Sequence, residues 1–427
     1  MTTLVIVESP AKCQKIEKYL GPGYKVLASY GHLTTLSDLK NIDIENKFTP
    51  HFTPIESKAQ QISKLQRAIN SSSRVVIATD DDREGEAIGW HICRLFRLPV
   101  NTTERIIFHE VTETAIKRAI QNPTTLNINT INSQQARQIL DLIVGYKISP
   151  VLWKNILTNT KNALSAGRCQ TPALRLVYDN YLDIEQSPGK TSYNTRGYFT
   201  SKNLEFSLNH DFESSKKVEE FLEASINYKH ELSRLPEKTV NKPPPEPFIT
   251  STIQQTANNL MHISPKETMK ICQKLYEQGY ITYMRTDCKV YSKEFIDTVK
   301  AYIDLKYSTQ HIHPVIDRLW NREKIKDLKE IQQKKTSKKG EKSENMAQEA
   351  HEAIRPTKIN VNEIPEDEEF TNRERRLYKI IWTNTIQSCM SDAEYKTFQV
   401  KITAPESLYY QYTTELCIFR GWQEEDW

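Results

Sequence analysis

No stretch of the 427-residue chain reaches roughly 18 consecutive apolar residues, so a transmembrane helix is excluded. The opening, Met1-Thr2-Thr3-Leu4-Val5-Ile6-Val7-Glu8, lacks a basic n-region and enters a strand pattern at once, so it is read as part of the fold and not as a signal peptide. Cysteine is sparse and unpatterned. Cys13, Cys93, Cys169, Cys272, Cys288, Cys389 and Cys417 make an odd number, and no two form a C-x-x-C. Neither a disulfide framework nor a structural zinc site is expected, and a reducing compartment, the cytoplasm, is favoured. A surplus of one charge is missing too. The 58 Lys and Arg residues against 54 Asp and Glu leave a net +4, which permits a polyanionic partner without requiring one. There is no internal repeat. What remains is a globular composition, 38% hydrophobic and 26% charged, long enough for about three domains at about 150 residues each.

Residues 1–145 read as alternating strands and helices. Leu4–Val7, Val26–Ala28, Arg74–Thr79 and Ile106–Phe108 are expected strands. Ala11–Leu20, capped by Ser9-Pro10, then Glu84–Phe96 and Thr112–Ile120 are expected helices. This alternation predicts a parallel sheet covered by helices. Gln134–Val144 reads as a further helix, with Gly145 and Pro150 marking its end. Arg196–Phe199 and Leu204–Leu208 alternate as strands. Pro243-Pro244-Pro245-Glu246-Pro247 is a stiff boundary. Ser264–Gly279 and the run from Phe370 to Met390 read as helices, followed by strands at Thr397–Ile402 and Leu408–Phe419. Lys324–Lys342 carries eight lysines and reads as a solvated insertion.

Four segments point to chemistry. Thr79-Asp80-Asp81-Asp82-Arg83-Glu84-Gly85-Glu86 places five carboxylates between a strand and a helix. Such a cluster repels itself unless a cation sits among its members. The spacing of Asp80, Asp82 and Glu84 would let them converge on a hard divalent ion such as Mg²⁺. Glu8, at the end of the first strand, is expected to face them, with Lys12 one helical turn further on to meet a phosphate. In Tyr283-Met284-Arg285, extended backbone turns the phenol and the guanidinium the same way. A tyrosine oxygen can attack phosphorus where an arginine steadies the developing charge. His351 and Arg355, spaced i and i+4, would grip a phosphodiester through paired donors. Ser165, Arg168, Gln170 and Thr171, set among small residues, would track a sugar-phosphate backbone without reading bases.

In order along the chain, these pieces resemble the type IA DNA topoisomerases of the bacterial topoisomerase I branch. The resemblance rests on Val5–Lys12, Ser29-Tyr30-Gly31-His32, Ala78–Ile88, Gln134-Gln135-Ala136-Arg137, Leu164–Gln170, Tyr283–Asp287 and His351–Thr357. It covers nearly the whole chain except the lysine-rich insertion. Other toprim enzymes, such as primases and nucleases, would not need the Tyr283 or His351 segments.

The resemblance implies a multidomain α/β plus α+β fold: a Rossmann-like toprim domain, a β-rich arch and helical domains closing into a toroidal clamp. Residues 1–145 would be toprim domain I, with a short domain IV excursion near 33–60. Residues 146–188 would begin domain IV, and 189–245 would begin the domain II arch. Residues 246–390 would be domain III, including the insertion at 323–347, and 391–427 would return to domain II. Tyr283 would be the nucleophile, forming a 5′-phosphotyrosine. Glu8 would be the general acid/base, and Lys12 and Arg285 would contact the scissile phosphate. Mg²⁺ would be held by Asp80, Asp82 and Glu84, with Glu8 beside them. His32, Arg83, Arg137, Ser165, Arg168, Gln170, Thr171, His351 and Arg355 would contact DNA. The expected activity is ATP-independent relaxation of negatively supercoiled DNA by a monomer acting on single-stranded or underwound DNA, at the nucleoid of a bacterium and with no membrane partner. The family carries further residues beyond the position of Trp427. That departure leaves a shortened, single-strand-binding or cleaving remnant without strand passage as the alternative expectation.

Overall fold

The computed structural model describes residues 2–156, 164–320 and 352–425, so His351 and the lysine-rich insertion lie outside the described residues. A four-stranded parallel sheet, ordered β2-β1-β3-β4, opens the chain: β1 is Thr3–Val7, β2 Tyr24–Ala28, β3 Arg74–Ile77 and β4 Glu104–Arg105. Val5 pairs with Val26 on one side and Val76 on the other. Helices α1 (Pro10–Leu20), α2 (Ala59–Ser71), α3 (Arg83–Leu95) and α4 (Glu113–Gln121) cover it. Ser9 caps α1 with Pro10 in its first turn. Alternation along β1 divides the core: Leu4 and Ile6 face Leu65 of α2 and Ile88 and Ile92 of α3, while Val5 and Val7 face the opposite side.

The fourth strand lies earlier than the apolar Ile106–Phe108 suggests. The paired residues are Glu104 and Arg105, and Arg105 is fully buried because its guanidinium meets Glu86 at 2.5 Å. A charged side chain so paired hides a strand from a hydrophobicity reading. A larger departure is α5, which runs unbroken as Ile128–Asn155, through both Gly145 and Pro150. A proline inside a helix costs about 3 kcal/mol. Here packing holds the turn, with the Tyr146 hydroxyl donating to Ser37 O and Ala166 N–H donating to Ser149 Oγ. Between β2 and α2, two short antiparallel pairs, Thr34–Thr35 with Thr53–Pro54 and Ile42–Asp43 with Thr49–Pro50, form an excursion.

Helix α6 (Gln170–Gln186) leads to an antiparallel sheet ordered β7-β9-β10-β6-β5, with β8 also on β9. Its strands are β5 (Tyr193–Tyr198), β6 (Glu205–Phe212), β7 (Leu232–Arg234), β8 (Lys238–Lys242), β9 (Ala393–Thr403) and β10 (Tyr409–Phe419), and α7 (Ser215–Ile226) packs Phe221 against it. Between β8 and β9 lie α8 (Thr250–Met261), α9 (Pro265–Glu277), α10 (Lys293–Lys306) and α11 (Asn372–Cys389). Helix α11 is buried on two sides, its Leu377 and Ile381 against α8 and α9 and its Trp382 and Ile386 against α10. The Val5–Val7 face of the parallel sheet continues without a break into Ile253, Ile271, Leu275, Ile281 and Leu377. No helix among the described residues is long and apolar enough to cross a membrane.

Candidate active site

The acidic turn after β3 is shaped by close backbone packing. Asp82 caps α3, its Oδ1 accepting Gly85 N–H at 2.8 Å. A Cβ at Gly85 would lie 2.0 Å from Asp80 O, so only glycine fits there. The five carboxylates fan out instead of converging. Asp80 pairs with Lys12, Asp81 lies 3.5 Å from His109, Asp82 faces Tyr283 and Arg285, Glu84 faces His32 and Gln134, and Glu86 faces Arg105. Among the described residues no three His, Cys, Asp or Glu side chains stand close enough to hold a metal as placed. As placed, Asp80, Asp82, Glu84 and Glu86 each face a donor or cation of the protein, which eases their mutual repulsion.

Tyr283 and Arg285 do reach one point from an extended segment. The Tyr283 hydroxyl donates to Asp82 Oδ2 at 2.6 Å, and Arg285 approaches the same oxygen at 3.3 Å. Tyr283 N–H donates to His109 O at 2.8 Å, which fixes the segment against the parallel sheet's own loop. Two residues with no motif of their own complete this wall. Tyr276 of α9 is buried with its ring 5.1 Å from that of Tyr283, and Gly279, at φ +73°, sits where a Cβ would lie 2.5 Å from Val111 O. Burial, then Asp82 and Asp80, pushes the Tyr283 phenol well above its ordinary value. Glu8 accepts Asp80 N–H at 2.9 Å. Burial first, and Asp80 next, raise its carboxyl to about 8.

Glu8, Asp80, Asp82, Glu84, Tyr283 and Arg285 line a cavity of about 380 Å³, closed on the α9 side by Lys266, Lys270 and Gln273. Lys266 and Lys270 are exposed, one helical turn apart, with no carboxylate partner among the described residues. Their i, i+4 spacing just ahead of Tyr283 is the sequence signal that marks them. The cavity shares Asp82, Glu84 and Arg285 with a cleft of about 920 Å³. Helix α5 floors that cleft, with Gln134, Arg137 and Asp141 on one face and Tyr146 and Trp153 further along it. His32, Arg83 and Arg168 line it too, and Asp141 holds the Arg168 guanidinium at 3.0 and 3.2 Å.

Three expected contacts are placed differently. Lys12 is fully buried, its ammonium bound to Asp80 and 4.6 Å over the Tyr276 ring, so it does not present itself to an incoming phosphate. Arg355 is 5% exposed and gripped by Glu352 at 2.7 Å and Glu110 at 3.2 Å. Its segment is extended and not helical, bridging Ile354 to Phe248 and Pro356 to Ile281, so the i, i+4 geometry assumed for His351 and Arg355 does not hold at Arg355. Ser165, Gln170 and Thr171 cluster at the start of α6 outside the cleft wall. There Gln170 donates to Ser165 Oγ at 3.1 Å and Gly167 N–H to Thr171 Oγ1 at 3.1 Å.

A family profile described as DNA topoisomerase matches residues 125–426, and one described as toprim domain matches residues 3–111. Among solved structures, full-length topoisomerase I from Thermotoga maritima is similar at 30% identity with a TM-score of 0.79, over 99% of this chain and 67% of that one.

Proposed function

The chain belongs to the bacterial-type branch of the type IA DNA topoisomerases, whose chemistry is ATP-independent cleavage and rejoining of single-stranded DNA, and from that membership we propose how its own residues do it. The observation that carries the proposal is the Tyr283 hydroxyl, aimed at Asp82 inside the cavity that also holds Glu8 and Arg285. Tyr283 Oη attacks the phosphorus, and its proton passes to Asp82 Oδ2 as the P–O bond forms. A phenol held so strongly in its neutral form needs that acceptor in place during attack. The P–O3′ bond breaks, and the departing 3′ oxygen takes the proton of Glu8, which burial keeps protonated at neutral pH. Arg285 steadies the equatorial phosphoryl oxygens. Religation runs the same transfers backwards, so no external energy source is needed.

The strand lies along α5, its phosphates met by Arg83, Arg137, Arg168 and Arg285 and its bases stacked on Tyr146 and Trp153. Ser165, Gln170 and Thr171 extend the path at the head of α6, and His351 holds a further phosphate. Arg355 acts from inside the protein, bracing the extended strand that flanks Tyr283, and Lys12 holds Asp80 in place. Lys266 and Lys270 take phosphates on the Tyr283 side of the cut. Their joint replacement by alanine is expected to weaken single-strand binding and to flatten its salt dependence by about 1.4 logarithmic units of slope, at roughly 0.7 for each lost contact. Fluorescence anisotropy over a salt series reads this.

A toprim domain is associated with Mg²⁺-dependent catalysis. The oxygen donors of Glu8, Asp80, Asp82 and Glu84 all line the one cavity, a donor set that suits that ion. Asp80, Asp82 and Glu84, with Glu8 beside them, would hold it, and when bound it would neutralise charge around the phosphate during rejoining. The test is chelation on an end-labelled oligonucleotide. Cleavage should persist at a reduced level because the nucleophile belongs to the protein, while religation should stop. Full religation in excess chelator would refute the metal assignment, and no adduct under any condition would refute the function. In the complete cycle, residues 1–145, 146–188, the split β-sheet of 189–245 and 391–427, and 246–390 would form a monomeric clamp, with α5 shared between its first two parts. Underwound DNA would be its substrate.

A further inference from the structure

His91 on α3 has no part in the steps above. It is 2% exposed, its ring lies 4.5 Å from that of Phe52 and 5.2 Å from that of Trp90, and among the described residues its Nε2 has no hydrogen-bond partner. Its Nδ1 stands 3.3 Å from Nδ1 of His32, and Nε2 of His32 stands 3.1 Å from Oε2 of Glu84. The Gln134 amide donates to that same oxygen at 3.1 Å. Glu84 borders both the DNA cleft and the cavity of Tyr283.

Where the protons sit follows from these contacts. Two facing Nδ1 atoms share one proton. If it were on a neutral His32, the Nε2 lone pair of His32 would point at the Glu84 carboxylate, acceptor against acceptor. A doubly protonated His32 removes that clash but pushes the His91 proton onto Nε2. There it would be a buried N–H with no acceptor, among the costlier arrangements in a protein interior. The remaining arrangement leaves no clash and no stranded donor. His91 donates from Nδ1, and His32 accepts at Nδ1 and donates from Nε2 to Glu84. Burial, with His32 next, lowers His91 to about 3 and keeps it neutral throughout.

We propose that His91 is a positioning residue for the cleavage–religation site. Its Nδ1–H sets His32 as the Nε2–H tautomer, and His32 and Gln134 together clamp Oε2 of Glu84 so that the other carboxylate oxygen is presented to the cavity. The proton placement stands on geometry alone, and only its effect on religation rests on the role given to Glu84 above.

The test uses the full chain labelled with ¹⁵N-histidine, free of DNA and metal, with His32→Asn to assign the resonance. At pH 8, His32 should show an unprotonated Nδ1 and a protonated Nε2. His91→Leu and His91→Gln should move His32 to a tautomer mixture. His91→Asn, whose amide nitrogen replaces Nδ1, should restore it. In parallel, the Mg²⁺ concentration for half-maximal religation should rise about 10–100-fold in the Leu and Gln variants and return toward wild type in the Asn variant. A protonated Nδ1 on wild-type His32, an unmoved tautomer in His91→Leu, or equal religation defects in His91→Asn and His91→Gln would overturn the proposal. Tautomers that shift as expected while the Mg²⁺ requirement stays constant would overturn the link to religation and with it the metal role of Glu84, leaving the nucleophile assignment intact.

Discussion

Tyr283→Phe is expected to reduce the covalent protein–DNA adduct to an undetectable level while leaving single-strand affinity within about twofold of wild type. The substitution removes one oxygen and nothing else. The ring stays buried at 3% exposure against Tyr276, and Tyr283 N–H keeps its bond to His109 O. Asp82 loses one donor but retains Gly85 N–H and Arg285, so it is not left as an unpaired buried charge. A charge-assisted hydrogen bond is worth about 1.5–3 kcal/mol, so a modest drop in thermal stability should accompany the loss. Among the described residues no neighbouring group stands in as nucleophile. Tyr276 is buried, its own phenol raised well above the ordinary value, with its hydroxyl 3.5 Å from Asp80. Denaturing gels of an end-labelled oligonucleotide measure the adduct, and a yield equal to wild type would remove Tyr283 from the reaction. The arginines of the cleft do not depend on the phenol, which is why binding and bond formation should separate so cleanly.

Glu8→Gln is expected to slow cleavage by about 10²–10⁴-fold, the usual range for loss of a general acid, and to abolish a specific feature of the pH profile. Glutamine keeps the size of the side chain and can still accept Asp80 N–H, but it has no proton to give to the 3′ oxygen. With the wild-type carboxyl raised to about 8, single-turnover cleavage should be level through neutral pH and fall above about 8 as Glu8 ionises. Religation should show the opposite limb, because the ionised form takes the proton back, and that limb should lie at lower pH because a cation held beside Glu8 favours its ionised form. Both limbs should vanish in the variant. Stability carries the same signature. A folded-state pKa above the unfolded value gives a contribution fully present below about pH 4.5 and lost as pH rises toward 8. The melting-temperature difference between Glu8→Gln and wild type should therefore grow in the variant's favour across that window. A wild-type cleavage profile flat to pH 10 would rule out Glu8 as the acid.

Much of this site is legible in the order of the residues, because strand and helix periods carry side-chain direction. Two residues along extended backbone bring Tyr283 and Arg285 to one oxygen of Asp82. The end of a parallel strand puts Glu8 beside the β3–α3 turn, where it meets Asp80. What stays hidden depends on partners distant in sequence. Lys12 has the same spacing from Glu8 whether it faces solvent or Asp80, and only the closeness of β1 and β3 settles it. Arg355 reads as a donor to a phosphodiester until Glu110 and Glu352 close on it. Gly145 and Pro150 carry the local chemistry of a helix end. The contacts of Tyr146 with Ser37 and of Ser149 with Ala166 override it, and the continuous cleft floor exists because they do. His91 resembles any apolar-face histidine, since its significance is a proton position set by a neighbour 59 residues away.

The apolar core shared by the parallel sheet and helices α8, α9 and α11 gives the enzyme a thermal and mechanical character. In the proposed cycle Tyr283, carrying the cut strand, must part from Glu8, and that separation wets a seam built of Phe108, Val111, Tyr276, Ile281 and Met284. Water entering such a seam raises the heat capacity, so the work of opening varies along a curve with temperature and not along a line. Of the ion pairs across the seam, Arg118 with Glu294 is exposed and adds little to that work, whereas Arg355 with Glu110 and Asp82 with Arg285 are set largely inside the protein, where salt screens them little. Salt should therefore leave the opening step nearly untouched, whereas urea should ease it. The torque stored in underwound DNA would then act as a load on an oily hinge, and the slowest turn of the cycle would be set by how readily that seam dewets again.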